Sequence, residues 1–226
     1  MKKLFCIIVL FFIPFISFSQ GIVNLTGIVI DEQSRQPVGA RLQFFDSNNK
    51  RVTEAPSAKS DGEYSAAGLK PGEYTVKIIS AQYFTETFNV TIPASDKYSE
   101  ISHDFSIKEK QLHKAFLLST SPFERNKSKL RIGFEEFLQS YLEILNNNAE
   151  VSIELQTYLD SPGNKNGLAK ERAKNLVDYF LAKGVSSSRI TSSSSETVDS
   201  KNPPPSKSGA KGKRYVGSTY IVVTKI

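Results

Sequence analysis

Hydrophobic and polar residues alternate in short runs through the first half of the chain and recur at helical spacing only in the second. Between Ile22 and Ile107 the runs are NLTGIVI (24–30), ARLQFF (40–45), GEYSA (62–66), EYTVKII (73–79), TETFNVTI (85–92) and ISHDFSI (101–107). They are rich in β-branched and aromatic residues, and turn-rich stretches such as DEQSRQP, DSNNK and LKPGE separate them. A period of two with no helical period predicts strands, and the set predicts an antiparallel sandwich. Asp61-Gly62 and Pro71-Gly72 supply the torsions that tight turns need. Tyr64 and Tyr74 read as core or half-buried aromatics, the alternative being a sugar platform. His103 reads as a surface-facing strand residue.

Beyond residue 114 the pattern changes. Ala115 to Ser119 predicts a strand. Phe134, Phe137, Leu138, Tyr141, Leu142 and Leu145 then recur on one face of a helix, with Glu135, Glu136, Gln139 and Glu143 on the other. Asn146-Asn147-Asn148 ends it. Val151 to Leu159 alternates as a strand and breaks at Asp160-Ser-Pro-Gly163. A second helix, about 167–183, carries Leu168, Ala173, Leu176, Val177 and Phe180, and Gly184 is its left-handed cap. A strand begins near Arg189, and another spans Tyr215 to Thr224. Ser192 to Lys211, with Pro203-Pro204-Pro205 and Lys201, Lys207 and Lys211, reads as a mobile surface loop. The order β-α-β-α-β-β predicts two helices layered on a mixed sheet. The charged stretch 108–114 reads as a linker. Domains over 20–107 and 115–226 are therefore expected to fold separately.

Residues 1–19 read as a signal peptide. Lys2 and Lys3 precede an apolar run from Leu4 to Ile16, and Ser17-Phe18-Ser19 predicts cleavage before Gln20. The run is short for a membrane span, and the alternative is an uncleaved anchor. Cys6, the one cysteine, lies inside this segment. A mature chain from Gln20 then has no disulfide, thiol nucleophile or cysteine metal site, which suits a bacterial periplasm. The chain carries a net charge of +6. Gln20–Ile107 holds 8 basic and 11 acidic residues, whereas Lys108–Ile226 holds 19 and 12. A basic exported domain meets anionic wall polymer or lipid head groups rather than nucleic acid.

The candidate chemistry lies between Val151 and Ala173. An acid after a strand and an arginine one turn into the next helix can face one pocket and grip a zwitterion. Asp160 would take the ammonium, and Arg172 would fork onto the carboxylate. The helix's first free N–H groups would favour the same anion. The plainer alternative is a capping aspartate and an arginine paired with Glu171 or Asp178. The serines suggest no nucleophile, because His103 and His113 stand in no motif. No His/Cys cluster suggests a metal. The expectation is a non-enzyme without cofactors.

IELQTYLDSPG (153–163) followed by LAKERA (168–173) resembles the OmpA-like peptidoglycan-binding domain, whose pattern is approximately IEIxGHTDxxG, then NxxLSxxRA. FERNKSKL (123–130) resembles that family's opening, FxFNKSxL, and GKRYV (212–216) resembles its GRxxNRRV. The resemblance puts Asp160, Gly163, Arg172 and Arg214 on family positions, with Asn164 or Asn166 for the loop asparagine. It implies that Asp160 and Arg172 hold the diaminopimelate of a peptidoglycan peptide stem. Thr157, Tyr158 and Leu159 replace the usual Gly-His-Thr, and the loop after Gly163 is about three residues short. In the first half, GxVxDxxSxxPVxA and SDGxYxxxGLxPGxYxV resemble the carboxypeptidase regulatory-like family, through Gly27, Asp31, Pro37, Val38, Ala40, Asp61, Gly62, Tyr64, Pro71, Gly72 and Tyr74. This implies an immunoglobulin- or transthyretin-like sandwich that serves as a spacer or adhesion unit. Two functions follow. One is a peptidoglycan anchor in the periplasm or at the outer membrane. The other is an envelope adaptor whose degenerate OmpA-like domain binds another protein.

Overall fold

The computed structural model describes residues 22–95, 97–203 and 216–226. The segment 1–19, expected to be a signal peptide, and Pro204, Pro205, Lys207, Lys211, Arg214 and Tyr215 lie outside them. The first half holds eight strands: β1 Val23–Asp31, β2 Arg41–Phe45, β3 Arg51–Pro56, β4 Glu63–Leu69, β5 Gly72–Ile79, β6 Glu86–Ile92, β7 Ser99–Ser102 and β8 Phe105–Ile107. One sheet runs β4-β1-β7 with β8 also on β1, and the other runs β3-β2-β5-β6. Alternate residues of both, among them Leu25, Val29, Leu42, Phe44, Tyr64, Val76, Val90 and Phe105, form one core. That is the expected sandwich. Tyr64 and Tyr74 are both buried, and their hydroxyls donate to His103 O and Lys70 O.

Two details depart from the expectation. β3 follows the DSNNK turn as the return arm of a hairpin with β2. The single strand 101–107 is instead two, and both pair with β1 in parallel, so the sandwich is not wholly antiparallel. The break comes where His103 N–H donates to Thr26 O and the Asp104 carboxylate accepts from Ile28 N–H. Gly27 permits this approach, since a Cβ there would sit 2.1 Å from His103 O.

The second half holds β9 Ala115–Leu117, α1 Glu135–Asn147, β10 Ser152–Leu159, α2 Leu168–Ala182, β11 Ile190–Val198 and β12 Thr219–Lys225. The sheet order is β11-β10-β12-β9. β10 and β11 are parallel, joined through α2, and β12 is antiparallel to β10. Ile153 and Leu155 of β10 join Leu138, Leu142 and Leu145 of α1 and Leu176 and Phe180 of α2 in a second core. The sheet is thus mixed, with two helices packed on one face. Gly184 takes the left-handed cap conformation. The serine run is not the expected loop, because Ser192–Val198 belongs to β11 and pairs with β10 from Ile153↔Ile190 to Tyr158↔Ser195.

Residues 108–114 do not read as a free linker either. Phe84 N–H donates to Lys108 O, Lys110 N–H to Gln82 O and His113 N–H to Val223 O, so the stretch is bonded to both halves. Phe84, from the sandwich side, is buried in the second core against Phe116. The Asn148 side chain bonds Thr85 N–H and Thr85 O across the junction and also the last turn of α1.

Candidate functional site

Asp160 follows the last residue of β10, and Arg172 lies one turn into α2, where the sequence places them. The structure brings them together, but against each other. Arg172 Nη1 meets Asp160 Oδ1 at 2.6 Å and Nη2 meets Oδ2 at 3.0 Å, a bidentate pair. The side chains are 1% and 0% exposed. The two ends of an open zwitterion pocket are therefore not what this conformation presents.

The rest of the chain completes both groups. Nε of Arg172 donates to Lys127 O at 2.9 Å, Nη2 to Glu124 O at 3.1 Å and Nη1 to Tyr158 O at 3.4 Å. All five guanidinium N–H groups thus have acceptors. The cation also sits 5.1 Å from the centre of the buried Phe123 ring. Asp160 Oδ2 accepts from Asn126 N–H at 2.6 Å, and Oδ1 accepts from Gly217 N–H at 2.5 Å. Burial alone would raise the Asp160 carboxyl. The bonds from Arg172 and the two backbone N–H groups outweigh it and hold the carboxyl below its ordinary value.

Neighbouring residues explain why the pocket is closed. Leu159 is buried against Leu168 and Ala169. Thr157 donates its hydroxyl to Ala169 O, tying β10 to α2. Tyr158 faces the other side of the sheet, edge-on to Tyr220. The first turn of α2 is also taken: Glu196 of β11 accepts from Gly167 N–H at 3.2 Å and Lys170 N–H at 3.4 Å. Those groups, expected to favour a ligand anion, already have one. Asn164 accepts from Ser161 N–H and donates to Asn126 Oδ1, closing the 161–164 turn beside the pair. Gly163 is exposed with open space around it, and Arg214 lies outside the described residues.

Asn126, Phe123 and Gly217 are the partners that sequence reasoning did not assign. FERNKSKL held the signal for the first two. Asn126 has φ of 60°, a conformation asparagine tolerates, and this aims its N–H at Asp160. A Cβ on Gly217 would lie 2.2 Å from Tyr158 O, so only glycine reaches the carboxylate there.

A second buried charge cluster lies at the junction of the two halves. Lys108 Nζ is 3.3 Å from Glu86 and 3.4 Å from Glu32, with the Tyr141 ring 5.7 Å away. Glu86 Oε1 also accepts from Lys108 N–H at 2.6 Å. Burial pushes the Glu86 carboxyl up, and Lys108 recovers only part of that. Among the described residues no group of three His, Cys, Asp or Glu side chains could hold a metal ion, and no helix is long and apolar enough to cross a membrane.

No family model matches the chain, and no curated protein does. Among solved structures it is similar to one described as a MotB-like protein from Desulfovibrio vulgaris, at TM-score 0.41 and 16% identity, over 50% of this chain and 73% of that one. It is similar to the Bacillus anthracis TIE protein at TM-score 0.33 and 21% identity, over 39% of this chain and 16% of that one. A DUF3823 family protein from Parabacteroides merdae gives 0.30 and 17%, over 44% and 53%. The chain thus spans about a sixth of the TIE protein and about half of the DUF3823 protein. At these scores the likenesses carry no weight for function.

Proposed function

We propose that the chain is a non-enzymatic cell-envelope protein acting as a structural adaptor. In this reading its second half keeps an OmpA-like fold but engages another envelope protein rather than the wall peptide, and the sandwich serves as spacer or partner-binding module. One observation carries it: the two charges meant for a zwitterion are spent on each other and on backbone groups, out of contact with water. A peptide stem entering there would have to separate a buried bidentate pair, and leaving either member unpaired costs about 3–5 kcal/mol. The segment with Lys2, Lys3 and an apolar run supports export, to the periplasm or the outer membrane.

Peptidoglycan anchoring is the second reading. Asp160, Gly163 and Arg172 match the OmpA-like pattern by resemblance, with Asn164 or Asn166 for the loop asparagine, and the hydrogen-bonded Asn164 and Asn126 side chains lie at the surface beside the pair. Co-sedimentation of the mature chain with purified sacculi separates the two. The adaptor reading expects the protein in the supernatant at micromolar concentration. Retention that a free diaminopimelate-containing stem peptide competes away would overturn it in favour of the anchor.

A further inference from the structure

We propose that the free edge of β9 is a strand-addition site for an extended, basic segment of a partner protein. This rests on the adaptor reading and gives that reading a place and a chemistry. In the β9–β12 ladder Leu118 N–H donates to Thr219 O, and Val223 N–H donates to Lys114 O. The even-numbered residues therefore face β12. Antiparallel alternation turns the N–H and C=O groups of Ala115, Leu117 and Ser119 outward, and among the described residues no backbone partner meets them. This edge does not open onto flat solvent. It lies in a groove of about 380 Å³ whose far wall is α1, through Phe137, Ser140 and Tyr141, and whose end is the sandwich turn at Glu32 and Gln33.

Three features fit an added strand. Unpaired backbone groups supply the hydrogen bonds such binding uses, and pockets for alternate side chains supply selectivity. Two large apolar side chains at the groove, Leu117 and Phe137, are each 43% exposed. The charge is one-sided. Lys108 at the groove floor is already matched by Glu86 and Glu32, which leaves one negative charge over. α1 has no basic residue, so the helix wall, through Phe137, Ser140 and Tyr141, adds no cation to offset it. An incoming segment with apolar residues toward Phe137 and a lysine or arginine near Glu32 complements both. The edge is also unguarded, since neither proline nor an inward charge interrupts Ala115–Leu117.

The test uses the mature full chain, uniformly 15N-labelled, titrated with a short capped peptide of alternating valine and lysine. Amide shifts are expected to move at Leu117 and Ser119. Phe137→Ala should weaken binding about tenfold, the loss expected when an aromatic contact is removed. Glu32→Gln, which removes the charge without setting a second cation beside the buried Lys108, should weaken it a few-fold at low salt, with the difference shrinking as salt rises. Both sites are exposed enough for the variants to fold. A peptide N-methylated at alternate residues should lose the interaction, because it cannot donate to the edge. Equal binding of the N-methylated or a valine–glutamate peptide would overturn the proposal. So would shifts confined to another edge, no binding, or a concentration-dependent dimer through β9. Sacculus retention tests the adaptor reading independently of this edge, so the two failures are distinguishable.

Discussion

Asp160 and Glu86 are both carboxylates buried beside a buried cation, yet burial is outweighed at the first and not at the second. The difference lies in geometry and donor count. Asp160 receives four hydrogen bonds, two from a planar fork and two from backbone N–H groups. Glu86 receives one backbone bond and one point contact at 3.3 Å from an ammonium that Glu32 shares. Taking a charge from water costs several kcal/mol, so a pair breaks even only when its remaining lone pairs and protons are also satisfied. The first pair meets that condition inside one fold unit. The second sits at a junction, where two surfaces meet and fewer donors converge.

The largest effect should come from Arg172→Ala. It strands a buried carboxylate and frees three backbone carbonyls, at Lys127, Glu124 and Tyr158. Urea unfolding should show a loss of about 3–5 kcal/mol. Arg172→Lys should recover only part, since an ammonium cannot span the same acceptors. A loss under 1 kcal/mol would mean that the pair is not what holds β10, α2 and the 123–128 segment together.

The junction comes next. Phe84→Ala empties a site beside Phe116 in the second core. The expected cost is about 3–5 kcal/mol, toward the lower end because the site borders a small void that can relax. The intact chain should unfold in one transition, and this variant should split it in two. If fragments 20–107 and 115–226 each melt cooperatively, with stabilities that sum to that of the whole chain, the junction is only a contact and the charged 108–114 stretch is a linker after all.

That outcome bears on what the sequence makes legible. Alternation exposes most sandwich strands because each buries one face, as Leu42 and Phe44 show on β2. It misses β3, where only Ala55 is fully buried, and it misreads Ser192–Val198, whose strand state comes from pairing with β10 rather than from apolar residues. Strand direction is also hidden: the parallel placing of β7 and β8 depends on where β1 lies, not on their own residues. The spacing of Asp160 and Arg172 gives their proximity. It does not say that they face each other, because Asn126 and Gly217, whose N–H groups fix the carboxylate, lie 34 and 57 residues away. Likewise, the composition of 108–114 suggests solvation, whereas Lys108 is buried by partners from both halves.

Glu86→Gln should cost about 1 kcal/mol or less. The amide can still accept from Lys108 N–H, Glu32 remains for the ammonium, and the desolvation of one carboxylate is removed. A loss as large as that of Arg172→Ala would erase the contrast between the pairs.

The smallest effect is the pH dependence of the two carboxyls, which runs in opposite directions. Glu86 has a folded pKa raised above its ordinary 4.5, chiefly by burial. Its charged form therefore weighs against the fold at neutral pH, and that penalty is relieved as pH falls through the raised value. Asp160 has a folded pKa below its ordinary 3.8, because the bonds from Arg172, Asn126 and Gly217 outweigh burial. Its contribution is complete above 3.8 and is lost as pH falls through the depressed value. Stability, measured by urea midpoint from pH 7 downward, should thus hold or rise slightly before it drops below pH 4. Glu86→Gln should abolish the rise and leave the acid drop in place. Stability that keeps rising below pH 4 in both proteins would mean that the carboxyl at Asp160 is not held down by its donors.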